Sequence, residues 1–287
     1  MDRTCKSFLN CTEERKLLFT KKGYPIKECK QCGHRFTEIK DIGNHLEQTY
    51  SDEYFFEGKE GYPNYLEEKD ILYKAGLRYA KLMARYMKPG KVLDVGCAAG
   101  FILKGFEDSG WHCHGVEPND TMAAYGRKEL NLDIRTGGME TFESDQKFDL
   151  INLIQVIGSL YDLDVAVLKV SQLAKQDGLV LVESWDRNSW AARLFGKNWH
   201  EYCPPSVVNW YSDETLTDLF KQYGFKLIAK GRPSKRINIK HGLAVMAENM
   251  PNFIFKKGLI KFFSRIVGNM VIRYPPADLK WYIFKKL

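Results

Sequence analysis

No run of about 18 uninterrupted apolar side chains, the length a spanning helix needs, occurs in the 287 residues. The N-terminal MDRTCKSFLNCTEERK has no apolar stretch of the kind a secretion signal carries, so a cytoplasmic location is expected. No segment repeats, and no Gly-, Ser- or Pro-rich spacer divides the chain. A chain of this kind has little use for a disulfide framework, so its seven cysteines read as thiols or metal ligands. A P-loop lysine and a G-x-G-x-x-G pattern are also missing, which disfavours nucleoside triphosphates and dinucleotides as ligands.

What is present is globular. Hydrophobic residues make up 44% of the chain, enough to build a core. The net charge of +7 is unevenly placed: residues 253–287 hold eight basic residues against Asp278 alone, and the other 252 residues balance. Any field that attracts an anionic partner is therefore expected at the C-terminal end.

Strand and helix patterns alternate through the middle of the chain. A helix is expected over 66–87, stopped by Pro89-Gly90, and then a strand over 91–95 and a helix over 101–108. There follow a strand over 112–116, a helix over 121–130 capped by Asp120, and strands over 132–135 and 148–154. A helix over 165–174, a strand over 178–183, a helix starting at Ser212 or Asp213 and strands over 225–229 and 279–284 complete the set. Repeated β-α units of this length predict an α/β fold with a doubly wound, mostly parallel sheet. The segment 47–65 carries six Tyr or Phe and reads as an ordered loop, either plugging a core edge or covering a ligand.

The segment Val92-Leu93-Asp94-Val95-Gly96-Cys97-Ala98-Ala99-Gly100 carries the clearest chemistry. A buried strand runs through an acid into small residues and then into a helix, whose first N–H groups are open to a ligand. Ligands of doubly wound sheets sit at the carboxyl ends of the strands, near such a turn. Glu117 ends the next strand, 23 residues after Asp94, where a carboxylate can accept both hydroxyls of a ribose. The alternative is a tight strand-to-helix turn with no ligand, which the paired acids disfavour.

These residues resemble the class I S-adenosylmethionine-dependent methyltransferases, whose first motif is D-x-G-x-G-x-G and stands here as Asp94-x-Gly96-x-Ala98-x-Gly100. The likeness covers about residues 47–230 and extends to Val116-Glu117-Pro118, Lys147-Phe148-Asp149-Leu150-Ile151 and Gln176-Asp177-Gly178-Leu179. It implies a Rossmann-like domain over 91–287 in which Asp94 and the backbone of Gly96, Cys97, Ala98 and Gly100 hold the methionine end of the cofactor. Glu117 would hold the ribose, Pro118 and Met139 the adenine, with Glu140 beside it, and Gln155 would line the methionine pocket. For Pro118 and Met139 ordinary packing is the alternative.

Cys29-x-x-Cys32-Gly33 has the spacing of a metal knuckle, and Cys5 and Cys11 upstream could complete a tetrahedral Zn²⁺ site. His34 or His45 could replace one ligand, and unligated thiols are the alternative; Cys97, Cys113 and Cys203 read as packing residues. The arrangement is similar to small-molecule methyltransferases with an N-terminal zinc-ribbon-like segment, followed by an aromatic stretch, here Tyr50-Ser51-Asp52-Glu53-Tyr54-Phe55. This implies a metal-binding appendage over 1–45, an aromatic loop and helix over 46–90, and roles in sugar, polysaccharide or natural-product tailoring.

Relatives of this type often carry Glu-His after the fourth strand and Pro-Pro-Glu-His-x-His-Tyr-Phe later. The corresponding stretches here are Ile157-Gly158-Ser159-Leu160 and Pro204-Pro205-Ser206-Val207-Val208-Asn209-Trp210-Tyr211, without either His. His200 is then the best base on chemistry, with Glu201 and Tyr202 as substitutes, and a surface His in a polar loop is the alternative. Reaction by proximity alone is a further reading.

Residues 256–273 pattern as a basic amphipathic helix, with Lys257, Lys261 and Arg265 opposite Leu259, Phe263, Ile266 and Met270. It forms a helical insertion over 237–273, suited either to an anionic membrane on the inner face or to packing as a lid. The expected activity is methyl transfer to an O or N atom of a small or lipid-linked metabolite, a glycosyl compound by resemblance. RNA methylation and an inactive cofactor-binding protein are the rival readings, and nucleic acid is disfavoured because no basic-aromatic strip crosses the cofactor domain. The oligomeric state is left open.

Overall fold

The computed structural model describes residues 14–39, 42–56, 64–234, 236–238, 271–274 and 277–287. A seven-stranded sheet forms its centre. It is built from β4 (Lys91–Val95), β5 (His112–Glu117), β6 (Asp133–Thr136), β7 (Phe148–Ile154), β8 (Ala174–Trp185), β10 (Phe225–Gly231) and β13 (Leu279–Lys286). Their order is β10-β13-β8-β7-β4-β5-β6. β6, β5, β4, β7 and β8 run parallel, and β13 runs antiparallel to both of its neighbours. This is the doubly wound, mostly parallel sheet expected of the sequence.

Both faces are covered, which is why the central strands read as unbroken apolar runs rather than alternating ones. On one face α6 (Leu163–Leu173) and α8 (Asp213–Gln222) bury Val167, Val170, Leu216 and Phe220 against Ile151, Val180 and Tyr282. On the other, α3 (Lys69–Met83) and α4 (Phe101–Glu107) bury Tyr79, Met83, Leu103 and Phe106 against Val92, Leu150 and Leu181. These two helices cross closely because Gly76 meets the backbone of α4: a Cβ on Gly76 would lie 2.2 Å from the Ile102 carbonyl oxygen.

Several expected boundaries move. α3 begins at Lys69, after a 3-10 turn over Tyr65–Glu68, and ends at Met83. α5 (Asp120–Glu129) is capped by Asn119, whose Oδ1 accepts the Met122 N–H at 2.8 Å; Asp120 lies in the first turn instead, where its charge suits the helix dipole. β8 starts earlier than expected, at Ala174, because the Gln176-Asp177-Gly178 turn is a bulge inside the strand: Phe148 faces Ala174 and Leu150 faces Leu179.

The aromatic segment is not simply a loop. α1 (Ile42–Thr49) runs into it and α2 (Asp52–Phe56) lies within it, and residues 57–63 lie outside the described ones. The N-terminal part forms β1 (Arg15–Lys21), β2 (Tyr24–Cys29) and β3 (Arg35–Phe36), which short alternation had hidden. This sheet is not separate from the rest, since β3 pairs with β9 (Asn209–Trp210). Ile26 packs with Trp199, Tyr202 and Trp210, close to α7 (Trp190–Phe195). Arg187 locks the joint, bonding Glu28 at 3.1 Å and the Gly33 carbonyl at 2.5 Å.

The basic helix expected over 256–273 lies, as far as residue 270, outside the described residues. Its last three residues are corrected: Val271–Arg273 is strand β12, paired antiparallel with β11 (Arg236–Asn238), as two β-branched residues in a row favour. Much of the remaining C-terminal charge is held by the fold. Lys280 pairs with Asp186 at 2.8 Å and Asp213 at 2.7 Å, and Lys285 with Asp177 at 2.8 Å. No helix among the described residues is long and apolar enough to cross a membrane.

Candidate active site

At the carboxyl end of the parallel strands lies a cavity of about 160 Å³. Asp94, Gly96, Cys97, Ala98, Glu117, Pro118, Met139, Glu140 and Gln155 all line it. Gly100 does not: at φ +80° it ends the turn and starts α4, where a Cβ would lie 2.6 Å from Leu132.

The turn after β4 is left-handed at Gly96 and Ala98, with φ of 64° and 48°. Gly96 is required twice over, for its φ and because a Cβ would meet Val156 at 2.7 Å. Ala98 takes the same region with a methyl group and is held there by a hydrogen bond. Its N–H donates to Glu117 Oε2 at 2.7 Å, while Asn119 N–H donates to Oε1 at 2.8 Å. Each carboxylate oxygen has a further lone pair beyond these bonds. Asp94 and Glu117 are each 3% exposed, and burial pushes both carboxyls up to about 7.

Glu140 is also buried, which raises its carboxyl. Its Oε1 accepts the Tyr161 N–H at 3.1 Å, so it braces the loop ahead of α6 as well as facing the cavity. Gln155, at φ 59°, turns back from β7 and donates from Nε2 to Glu183 Oε1 at 2.8 Å.

Tyr50, Tyr54, Phe55 and Tyr65 line the same cavity and pack on Ala98, Phe101 and Met122, so the aromatic segment both fills a core edge and walls the pocket. Tyr50 is anchored by donating to the Ser206 carbonyl at 2.6 Å. Asp52 accepts from Asn119 Nδ2 and Thr121 Oγ1, each at 3.0 Å, which fixes α2 beside the start of α5 and the Glu117 end of the cavity.

The residues expected to supply a base stand elsewhere. His200, Glu201 and Tyr202 do not line the cavity. The His200 ring packs edge-on to Trp185 and lies 3.2 Å from the Tyr274 hydroxyl and 3.4 Å from Asp278. Tyr202 is buried in the joint with the N-terminal sheet and accepts from Arg35 at 2.8 Å. The Glu201 carbonyl accepts the Trp210 indole N–H at 2.7 Å, another bond within that joint. Sequence reasoning overlooked Glu183 and Tyr79. Glu183 is 1% exposed and receives the Tyr79 hydroxyl as well as Gln155. An acid closing the apolar run Leu179–Val182 was its signal, parallel to Glu117 after Val116.

Among the described residues no group of three or more His, Cys, Asp or Glu could hold a metal ion. Cys29 and Cys32 adjoin on a tight turn closed by Gly33 N–H to the Cys29 carbonyl at 2.9 Å. Cys5 and Cys11 lie outside the described residues. His34 turns Nε2 to Asn209 Oδ1 at 2.9 Å, and His45 turns Nδ1 to Thr49 at 3.2 Å.

Residues 68–230 match the methyltransferase domain family, and the chain belongs to it. The ubiquinone biosynthesis O-methyltransferase of Bradyrhizobium diazoefficiens is 25% identical over 139 residues, which are 46% of this chain and 55% of that protein. The chain thus spans about half the length of the curated relatives it matches (55% and 58%). An S-adenosylmethionine-dependent methyltransferase from Thermotoga maritima shares the fold with a TM-score of 0.52 at 18% identity, over 85% of this chain and 99% of its own. So does the 1,6-didemethyltoxoflavin-N1-methyltransferase of Burkholderia thailandensis, solved with 1,6-didemethyltoxoflavin and S-adenosylhomocysteine. Its TM-score is 0.54 at 10% identity, over 96% of this chain and 99% of its own.

Proposed function

We propose that the protein transfers a methyl group from S-adenosylmethionine to a heteroatom of a small molecule. Oxygen is the favoured atom, because the curated relatives are named O-methyltransferases. The observation that carries this reading is the Glu117 carboxylate, buried at a strand end, held by two backbone N–H groups and facing the cavity beside the Asp94 turn. A glycosyl or lipid-linked acceptor rests on family resemblance alone.

When bound, the cofactor supplies an electrophilic methyl carbon on a sulfonium. Glu117 accepts the ribose hydroxyls, Asp94 and the Gly96–Ala98 backbone hold the methionine end, and Pro118 and Met139 flank the adenine. The Tyr50, Tyr54, Phe55 and Tyr65 wall keeps water from the reacting centre, where alignment supplies most of the acceleration. We assign the proton of the acceptor hydroxyl to Glu183, which lines the adjoining cavity and is hydrogen-bonded to Gln155 of the wall the two cavities share. The test is a thermal shift: S-adenosylhomocysteine should raise the melting temperature and NAD should not, and Glu117→Ala should lose most of the rise. A rise with NAD alone would overturn the reading.

The knuckle supports a second proposal, that Cys29 and Cys32 hold a structural Zn²⁺ together with Cys5 and Cys11. Purified protein should then carry about one zinc per chain, lost in Cys32→Ser while S-adenosylhomocysteine binding persists. Metal-free protein with the same protease resistance would refute it.

A further inference from the structure

A second cavity, of about 220 Å³, adjoins the first and shares Leu72, Ile102, Ile154 and Gln155 with it as common wall. One water needs roughly 10–15 Å³ of such space, so this volume suits an organic molecule. It lies between α3, the end of β7 and the β10–β11 connection. Its composition is unusual. Three guanidinium groups, Arg78, Arg232 and Arg236, line it against one carboxylate, Glu183, whose oxygens already receive Tyr79 and Gln155.

The three arginines are not equivalent. Arg232 donates to the Ala277 carbonyl at 3.0 Å. The Arg236 backbone pairs with Arg273, but the side chains of Arg78 and Arg236 make no hydrogen bond or salt bridge among the described residues. Burial lowers the Arg78 guanidinium, the charge of Arg236 lowers it further, and the Glu183 carboxylate offsets part of both, so Arg78 feels a cation and an anion across the cavity. Three cations against one carboxylate leave the lining net positive, and a bound oxyanion would relieve the repulsion between Arg78 and Arg236 with charge-assisted, bidentate bonds. Leu82, Ala75 and the Trp281 ring give the remainder of the wall an apolar character.

We infer that this second cavity receives the methyl acceptor, and that the acceptor carries an oxyanion, a carboxylate or a phosphate, which Arg78 and Arg236 clamp while its apolar body lies along Trp281. This rests on the methyltransferase reading of the first cavity. The shared Gln155 wall gives the reason for the adjacency: the acceptor reaches the methionine end of the cofactor site while its charged end stays on the arginines. Glu183, on the same wall, then stands where a proton must be taken up.

Isothermal titration with benzoate, phenyl phosphate and the neutral benzamide tests the clamp, with and without saturating S-adenosylhomocysteine. Benzoate, phenyl phosphate or both should bind at least tenfold tighter than benzamide, and whichever binds tighter identifies the anion. Arg78→Gln and Arg236→Gln should each weaken that anion at least fivefold, with S-adenosylhomocysteine affinity unchanged as the control for folding. Anions that bind no tighter than benzamide, or bind the two variants as they bind the wild type, would overturn the proposal. Failure of S-adenosylhomocysteine to bind the wild type would instead overturn the cofactor reading, and the titrations without it would still decide the clamp.

Discussion

The Ala98 backbone N–H donates to Glu117 Oε2 at 2.7 Å, so the acid that ends the second parallel strand also shapes the turn that leaves the first. Glu117→Gln keeps the size but replaces one acceptor oxygen by a donor that cannot take the Ala98 or Asn119 N–H. Hydrogen bonds to a charged group contribute about 1.5–3 kcal/mol each, so S-adenosylhomocysteine should bind at least tenfold more weakly. Equal affinity in a calorimetric titration would show that Glu117 does not hold the ribose.

The same burial makes the site respond to pH. In the folded protein without ligand, Asp94 and Glu117 hold their protons up to about 7, whereas in the unfolded chain they ionise near 4. Raised acids contribute stability below their unfolded values, and that contribution is lost as pH rises through about 7. The melting temperature of ligand-free protein should therefore fall from about pH 5 to about pH 8. Affinity for S-adenosylhomocysteine should rise over the same window, because ribose hydroxyls and the ammonium favour the ionised carboxylates. Affinity and stability that move together with pH would contradict this account.

Glu183→Gln should keep the Tyr79 and Gln155 side chains within reach while removing the proton acceptor. Proton transfer by a placed base is worth roughly 10²–10⁴-fold, so kcat should fall by about a hundredfold or more, with S-adenosylhomocysteine affinity nearly unchanged. A variant with wild-type kcat would remove Glu183 from the chemistry.

Ala98 carries a methyl group at φ 48°, where a residue with a Cβ loses about 1–2 kcal/mol. Ala98→Gly relieves this strain but loosens the unfolded chain, leaving a net gain of about 1 kcal/mol or less and a rise in melting temperature of no more than about 2–4 °C. A fall would mean that the methyl packing against Phe101 and Met122 outweighs the strain.

Gly76→Ala should act in the opposite sense to the usual helix rule, in which alanine is preferred. The added methyl would lie 2.2 Å from the Ile102 carbonyl oxygen, so α3 must shift away from α4. Overpacking of this kind costs about 1–3 kcal/mol, enough to outweigh the propensity gain, and chemical denaturation should show it. Because α3 walls the second cavity, binding there should weaken too.

The sequence by itself determined the sheet and the glycine turn that follows β4, because both are written in short local signals. Buried parallel strands appear as apolar runs, and the turn needs Gly96 and small neighbours next to Asp94, whatever lies far away in the chain. Glu117 was legible for the same reason, as an acid at the end of such a run. Only the tertiary structure decided the rest of the site. Tyr50 reaches the pocket through a bond to Ser206, Glu183 depends on Tyr79 and Gln155, and Arg78 meets Arg236 across a cavity whose walls come from distant elements. The same holds for the 200–202 segment, where a histidine and a tyrosine suggested chemistry: His200 lies beside Asp278, and Tyr202 is packed in the joint with the N-terminal sheet. Local spacing constrains a backbone turn, but a meeting of side chains across 80 or 150 residues is set by which faces the core leaves open.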